Sequence, residues 1–138
     1  MAANITPIFI KEGNFTPARI AAANSDNSGG GTLVDVVVSG TDGTRVDGIR
    51  FVNSGSSTTA STATRINIFH TVGLNIRIVG QILFPAGATK TATVLGAQAI
   101  FTFDQPFILK TGEKISVTST NWATTADNID ATAYAGNY

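Results

Sequence analysis

Apolar and polar residues alternate along most of this chain, with the two-residue period of a strand. Residues 44–52 (TRVDGIRFV) put Ile49 and Phe51 on one side and Arg50 on the other. In 62–70 (TATRINIFH), Ile66 and Ile68 alternate with Arg65 and Asn67. In 75–84 (NIRIVGQILF), Ile76 and Ile78 alternate with Asn75 and Arg77. The runs 33–39, 89–94, 98–103, 107–109, 114–120 and 129–135 also read as strands. Turn formers separate them at Gly73, Pro85–Gly87, Gly96, Asp104–Pro106, Lys110–Glu113 and the loop 121–128. This spacing predicts an all-β fold: an antiparallel β-sandwich, jelly-roll-like, with a short N-terminal arm. No segment sustains a helical period and no fixed-length repeat recurs, which argues against helical, propeller and solenoid folds.

Asp42-Gly43, between 33–39 and 44–52, reads as a two-residue hairpin turn. Closing it there sets Val36 opposite Ile49 and Val34 opposite Phe51, with Asp35 opposite Arg50 on the other face. The expected core is Val34, Val36, Ile49, Phe51, Ile66, Ile68, Ile76, Ile78, Phe101, Phe103, Leu109, Ile115 and Val117. Residues 1–31 read as an arm and flexible loop, and 32–138 as the sandwich domain. Within the arm, 5–10 (ITPIFI) suits a short edge strand because Pro7 cannot donate to a ladder. Residues 18–24 (ARIAAAN) suit a helical turn, and 24–31 (NSDNSGGG) a flexible loop.

Composition narrows the function classes. The chain has 138 residues, enough for one domain with its own core, and no cysteine. Disulfide scaffolds and thiolate chemistry are excluded. Nine basic and nine acidic residues cancel, and only 13% of residues are charged against roughly 25% in ordinary domains. The basic residues are scattered singly, so the footprint of a nucleic-acid binder is missing. No run approaches the ~20 apolar residues of a membrane span, and the start lacks a signal-peptide pattern. The sequons at Asn4 and Asn14 then carry no meaning. A neutral, Thr/Ser/Asn/Gly-rich surface lacks the self-repulsion that keeps monomers apart, which suits a chain packed against copies or a partner.

Fragments that resemble chemistry each lack a needed residue. His70, the single histidine, has no second ligand and reads as a strand-end residue satisfied by backbone groups. Ser25-Asp26-Asn27 and Lys110-Thr111-Gly112 match two β-lactamase signatures, but no Ser-x-x-Lys accompanies them. Asp26–Gly30 opens like a calcium loop, yet Val37 stands where the bidentate Glu belongs. Asp42 and Asp47 are weak cation candidates. Glu12 and Glu113, the two glutamates, have nothing linking them across a cleft. The expectation is a non-enzyme with no cofactor and no metal. Trp122, in the loop NWATTADN, is a candidate partner anchor or a lid on the sandwich end, and Phe9 and Phe15 are candidate contacts on the arm.

From Phe101 to Tyr138 the chain reads FTFDQPFILKTGEKISVTSTNW…IDATAYAGNY, an F-x-L-x-x-G-x-x-I-x-V segment followed by a last strand ending Gly-Asn-Tyr. Residues 45–69 (RVDGIRFVNSG…TATRINIF) add a Ser/Thr/Ala-rich loop before an R-I-x-I-F strand. Together, roughly Thr44–Tyr138 resembles the small head decoration (cement) proteins of tailed bacteriophages. The resemblance implies a structural virion protein, made in the host cytoplasm and placed on the capsid exterior. Its implied partners are the major capsid protein and itself, as a homotrimer, with neither nucleic acid nor membrane. The alternative is a fibre or carbohydrate-recognition sandwich using loops 53–61 and 121–128.

Overall fold

The computed structural model describes residues 10–14, 16–55, 62–88, 90–91, 93–121 and 128–138. Among them are nine strands: β1 (Glu12–Gly13), β2 (Ala18–Ile20), β3 (Val34–Val38), β4 (Thr44–Asn53), β5 (Thr64–Val72), β6 (Asn75–Phe84), β7 (Gln98–Leu109), β8 (Lys114–Ser119) and β9 (Ile129–Asn137). They form two antiparallel sheets. Sheet A has the order β1-β9-β4-β7, with β2 also on β9, and sheet B has the order β3-β8-β5-β6. The pairs are nested: β5 with β6, β4 with β7, β3 with β8, and β2 with β9. Successive pairs alternate between the sheets, as in one long hairpin rolled up on itself.

The core fills the space between the sheets. Val36, Ile49, Phe51, Ile66, Ile68, Leu109, Ile115 and Val117 are buried there as expected, with Val34, Phe101 and Phe103 packed at its margin. Ile20, Val37, Val46, Phe84, Ile129, Ala131 and Ala133 complete it. Ile76 and Ile78 are a correction. A bulge between Ile68 and Phe69 slips the β5–β6 register by one, so the β6 residues before it turn to the outer face of sheet B. Phe69, outward by the regular alternation of β5, lies opposite Ser116 and Ile78. It is fully buried although it lies outside the inter-sheet cluster.

The expected β3–β4 hairpin is also corrected. Gly43 N donates to Gly40 O at 3.2 Å and Gly43 has φ 100°, so the turn exists, but it carries the chain from sheet B to sheet A. Asp35 lies opposite Ser116 and accepts from Ser116 Oγ (2.6 Å) and Lys114 Nζ (2.9 Å). Arg50 stands between Ile100 and Thr132 and donates to Gln98 Oε1 at 2.7 Å. Alternation sends Val36, Ile49 and Phe51 inward whether β3 and β4 lie side by side or face to face, so it cannot choose between the two arrangements.

The β5–β6 hairpin keeps its expected form. Its loop is Gly73-Leu74, with Gly73 at φ 59° and Leu74 at negative φ, the sign pattern of a type II′ turn. The runs 98–103 and 107–109 form one strand, β7, interrupted opposite Asp47 by a bulge at Phe103–Pro106. Residues 90–91 and 93–94 lie outside any strand, where Thr91 Oγ1 caps the Thr93 and Val94 amides. The expected strand 5–10 falls outside the described residues except Ile10. Residues 18–20 are a strand on β9, not a helical turn, and Ile20 is buried in the core.

Candidate interaction surfaces

Trp122, Phe9 and Phe15 lie outside the described residues, as do 56–61 and 122–127 of the two loops. The described residues offer four other places where chemistry or contact is concentrated.

The first is the end of the sandwich where both sheet-crossing turns meet. Thr111 Oγ1 donates to Thr41 O at 2.6 Å, and Ser39 N to Glu113 O at 3.0 Å. Beneath them His70 Nε2 sits 3.0 Å from Glu113 Oε2, and the His70 ring meets Phe107 edge-on at 4.9 Å. The partner of His70 is therefore a carboxylate, not the backbone. Burial pushes the Glu113 carboxyl up, but the Lys110 amide, the His70 hydrogen bond and the charges of His70 and Lys110 outweigh it. The group sits below the usual carboxylate range. This pair ties β5 to the β7–β8 turn. Beside it Asn14, Thr44 and Asn137 form a polar cluster: Asn14 Nδ2 and Thr44 Oγ1 donate to Asn137 Oδ1 at 2.7 and 2.6 Å.

The second is the outer face of sheet B, which the chain partly covers itself. After β2, Ala23 bridges Ser119, and the Asn24 amide donates to Ser119 O at 2.7 Å. Asn24 Nδ2 then clamps the loop shut on Gly30 O (2.9 Å) and Thr32 O (3.0 Å). Hydrogen bonds from the Ser28 hydroxyl and amide hold the exposed Asp26 carboxyl low. At the sheet surface Asn27 Oδ1 accepts from Asn67 Nδ2 and Arg65 Nη2, both at 3.0 Å, and Asn67 is fully buried. Gly29 rests so close to Ile76 that a β-carbon would fall 2.4 Å from its Cγ2. Composition suggested a flexible segment here, and these are the hydrogen bonds it makes in the structure.

A third feature is a cavity of about 340 Å³ between Ile20–Asn24 and Gly31–Val34. Thr118 lines it, and the buried Thr118 hydroxyl has no hydrogen-bond partner among the described residues.

The fourth is the outer face of sheet A, which the described residues leave open at its centre. Arg50, Ile100, Thr102 and Tyr134 are exposed there, flanking Gly48, where a β-carbon would strike Phe101 O at 2.5 Å. Ile10, Ile100, Ile108 and Tyr134 are 47, 55, 51 and 46% exposed, an apolar scatter over the strand surface. The charges beside them are already paired: Arg19 with Asp130 (2.7 Å), Arg45 with Asp47 (2.8 Å), and Arg50 with the Gln98 carboxamide. The Arg19 hydrogen bond holds the Asp130 carboxyl low against the opposing effect of burial, helped by the Ser54 hydroxyl.

The chemistry-like fragments do not assemble. Among the described residues no group of three His, Cys, Asp or Glu side chains gathers where a metal could sit. Asp42 pairs with Lys11 and Asp47 with Arg45. The Ser25–Asn27 segment lies by Asn67 and the Lys110–Gly112 turn by Thr41, so the two β-lactamase-like fragments stay apart. In comparison with known proteins, no family model and no curated protein matches the chain.

Proposed function

We propose that this chain is a structural virion protein that binds and stabilises a phage capsid shell from outside. The observation that carries the reading is the outer face of sheet A: partly apolar, and with its charges neutralised inside the chain. Such a face meets a protein surface without requiring counter-charges. The nested strand order supports the same reading, because it fits a jelly roll, an architecture frequent in capsid and lectin domains.

The size of the face says how it works. Ten residues of β4 at ~3.3 Å rise and four strands at ~4.8 Å spacing give roughly 600 Å². A stable interface takes about 800 Å² per partner. One such contact is weak, so retention on a shell comes from many copies or from an added self-contact. The test is co-sedimentation of the purified protein with undecorated capsids. Saturable binding at a fixed copy number, weakened by Tyr134→Asp or Ile108→Asp, is expected. No binding, or binding indifferent to both changes, overturns the proposal.

A further inference from the structure

Where β2 leaves sheet A, the chain crosses the edge of the sandwich and joins sheet B. Arg19 and Ile20 still pair with β9, and Ala23 already bridges Ser119 of β8. After its loop the chain returns through Gly31 and Thr32 into β3, where Val34 pairs with Val117. Outgoing and returning passes thus flank one stretch of β8. Thr118 stands between the two residues they meet, and the cavity of about 340 Å³ lies between the passes with Thr118 in its wall.

Size and rigidity set this space apart from a packing defect. Voids in a folded core seldom exceed a water molecule, whereas pockets for small molecules begin near ~300 Å³. Both walls are held. The Arg19–Asp130 ion pair and the Ala23–Ser119 bridge fix the outgoing pass, and Asn24 Nδ2 ties it to the returning pass at Gly30 O and Thr32 O. Thr118 is 1% exposed, and its hydroxyl has no partner among the described residues, which destabilises the free chain.

We propose that this cavity binds a small uncharged molecule with an aliphatic body and one hydroxyl or carbonyl group. Ile20, Val34 and Ala21–Ala23 make its walls largely apolar. Arg19 is the charged residue among those lining it, and Asp130 already holds that guanidinium, so a charged ligand would leave water without a counter-charge. The Asn24 carboxamide is engaged at both ends within its own loop. That leaves the Thr118 hydroxyl, which can both donate and accept, to meet the polar group of the ligand. Rotation about χ1 exchanges the hydroxyl with the methyl group, so the side chain can turn toward a ligand while the strand stays in place. At ~30 Å³ for each water-sized group, the cavity has room for roughly ten non-hydrogen atoms. Occupancy of the cavity does not depend on what the outer face of sheet A binds.

Titrating the isotope-labelled full chain with cyclohexanol, followed by amide chemical shifts, tests this. Saturable shifts confined to Ala21–Asn24, Gly31–Val34 and Thr118 are expected. Cyclohexanecarboxylate, the same ring carrying a charge, should bind roughly tenfold more weakly or worse. Thr118→Val keeps the shape and removes the hydroxyl. It should melt at or above the parent's Tm, because the free chain loses an unpaired group, while its affinity for cyclohexanol falls roughly tenfold. Thr118→Ser, which retains the hydroxyl, should keep most of the affinity. A threonine with a purely structural role would show the opposite pattern, a lower Tm in the valine variant with binding unchanged. That pattern, shifts spread over both sheets, equal binding of the carboxylate, or no saturable shift up to the solubility limit overturns the proposal. Co-sedimentation with capsids reads the proposed function separately, so either result can fail without the other.

Discussion

Replacing Asn24 with alanine should loosen a segment that composition alone marks as flexible. The side chain makes three hydrogen bonds within its loop: Nδ2 to Gly30 O and Thr32 O, and Oδ1 from the Asp26 amide at 3.0 Å. Each such bond contributes about 1 kcal/mol when buried, and less where water can replace it. Asn24 is half-buried, so Asn24→Ala should cost about 1–2 kcal/mol in total. For a chain this long that is a fall of roughly 4–8 °C in Tm. Asn24→Asp should cost more, although it keeps the shape, because it turns a carboxylate toward two carbonyl oxygens about 3 Å away. Thermal denaturation gives the global change, and amide exchange at Ser28 gives the local one, expected to quicken about tenfold for each 1.4 kcal/mol lost. If both variants melt with the parent and Ser28 exchanges no faster, the loop is not held by Asn24 and the reasoning fails.

Phe69→Ala should destabilise by about 3–5 kcal/mol in urea unfolding, as a core phenylalanine does, because Phe69 is fully buried on the outer side of sheet B; a loss below about 1 kcal/mol would show that this second layer is not packed. A double-mutant cycle should find about 0.5 kcal/mol of coupling between Asp35 and Lys114, which are more than one-third exposed, and none between Asp35 and Arg50. Coupling of Asp35 to Arg50 instead would favour a β3–β4 hairpin. Glu113→Gln tests the pH limb. The folded carboxyl lies below its ordinary value, so its stabilisation is complete above about pH 4.3 and is lost as pH falls through the lower folded value. The stability gap between parent and variant should be steady near neutrality and shrink in acid, and a gap that widens in acid would contradict this.

The fold class was legible because it depends on local alternation and turn chemistry, both carried by neighbouring residues. Gly73 marks the β5–β6 turn, and β4, β5 and β6 begin and end within two residues of the expected limits. What could not be read depends on partners far along the chain. Asp42-Gly43 signals a reversal but not whether the next strand lies beside β3 or across from it. The bulge at Ile68/Phe69 leaves no local mark, yet it moves Ile76 and Ile78 out of the core. Ala18–Ile20 looked helical because its strand character comes from β9, more than a hundred residues away. The surfaces were harder still. The sequence shows few charges, but which of them are paired emerges only when strands distant in the chain are brought side by side.

That nested pairing also orders events in time. The β5–β6 hairpin joins neighbours through Gly73-Leu74 and can form as soon as both strands exist. Each later pair must close a larger loop, and the outermost, with Glu12 against Asn137, spans 125 residues. Folding that zips outward from the hairpin is slow, as expected where distant contacts dominate. During synthesis β1 and β2 are left without a partner until β9 follows. Ile20 must wait more than a hundred residues of synthesis for the strand that buries it.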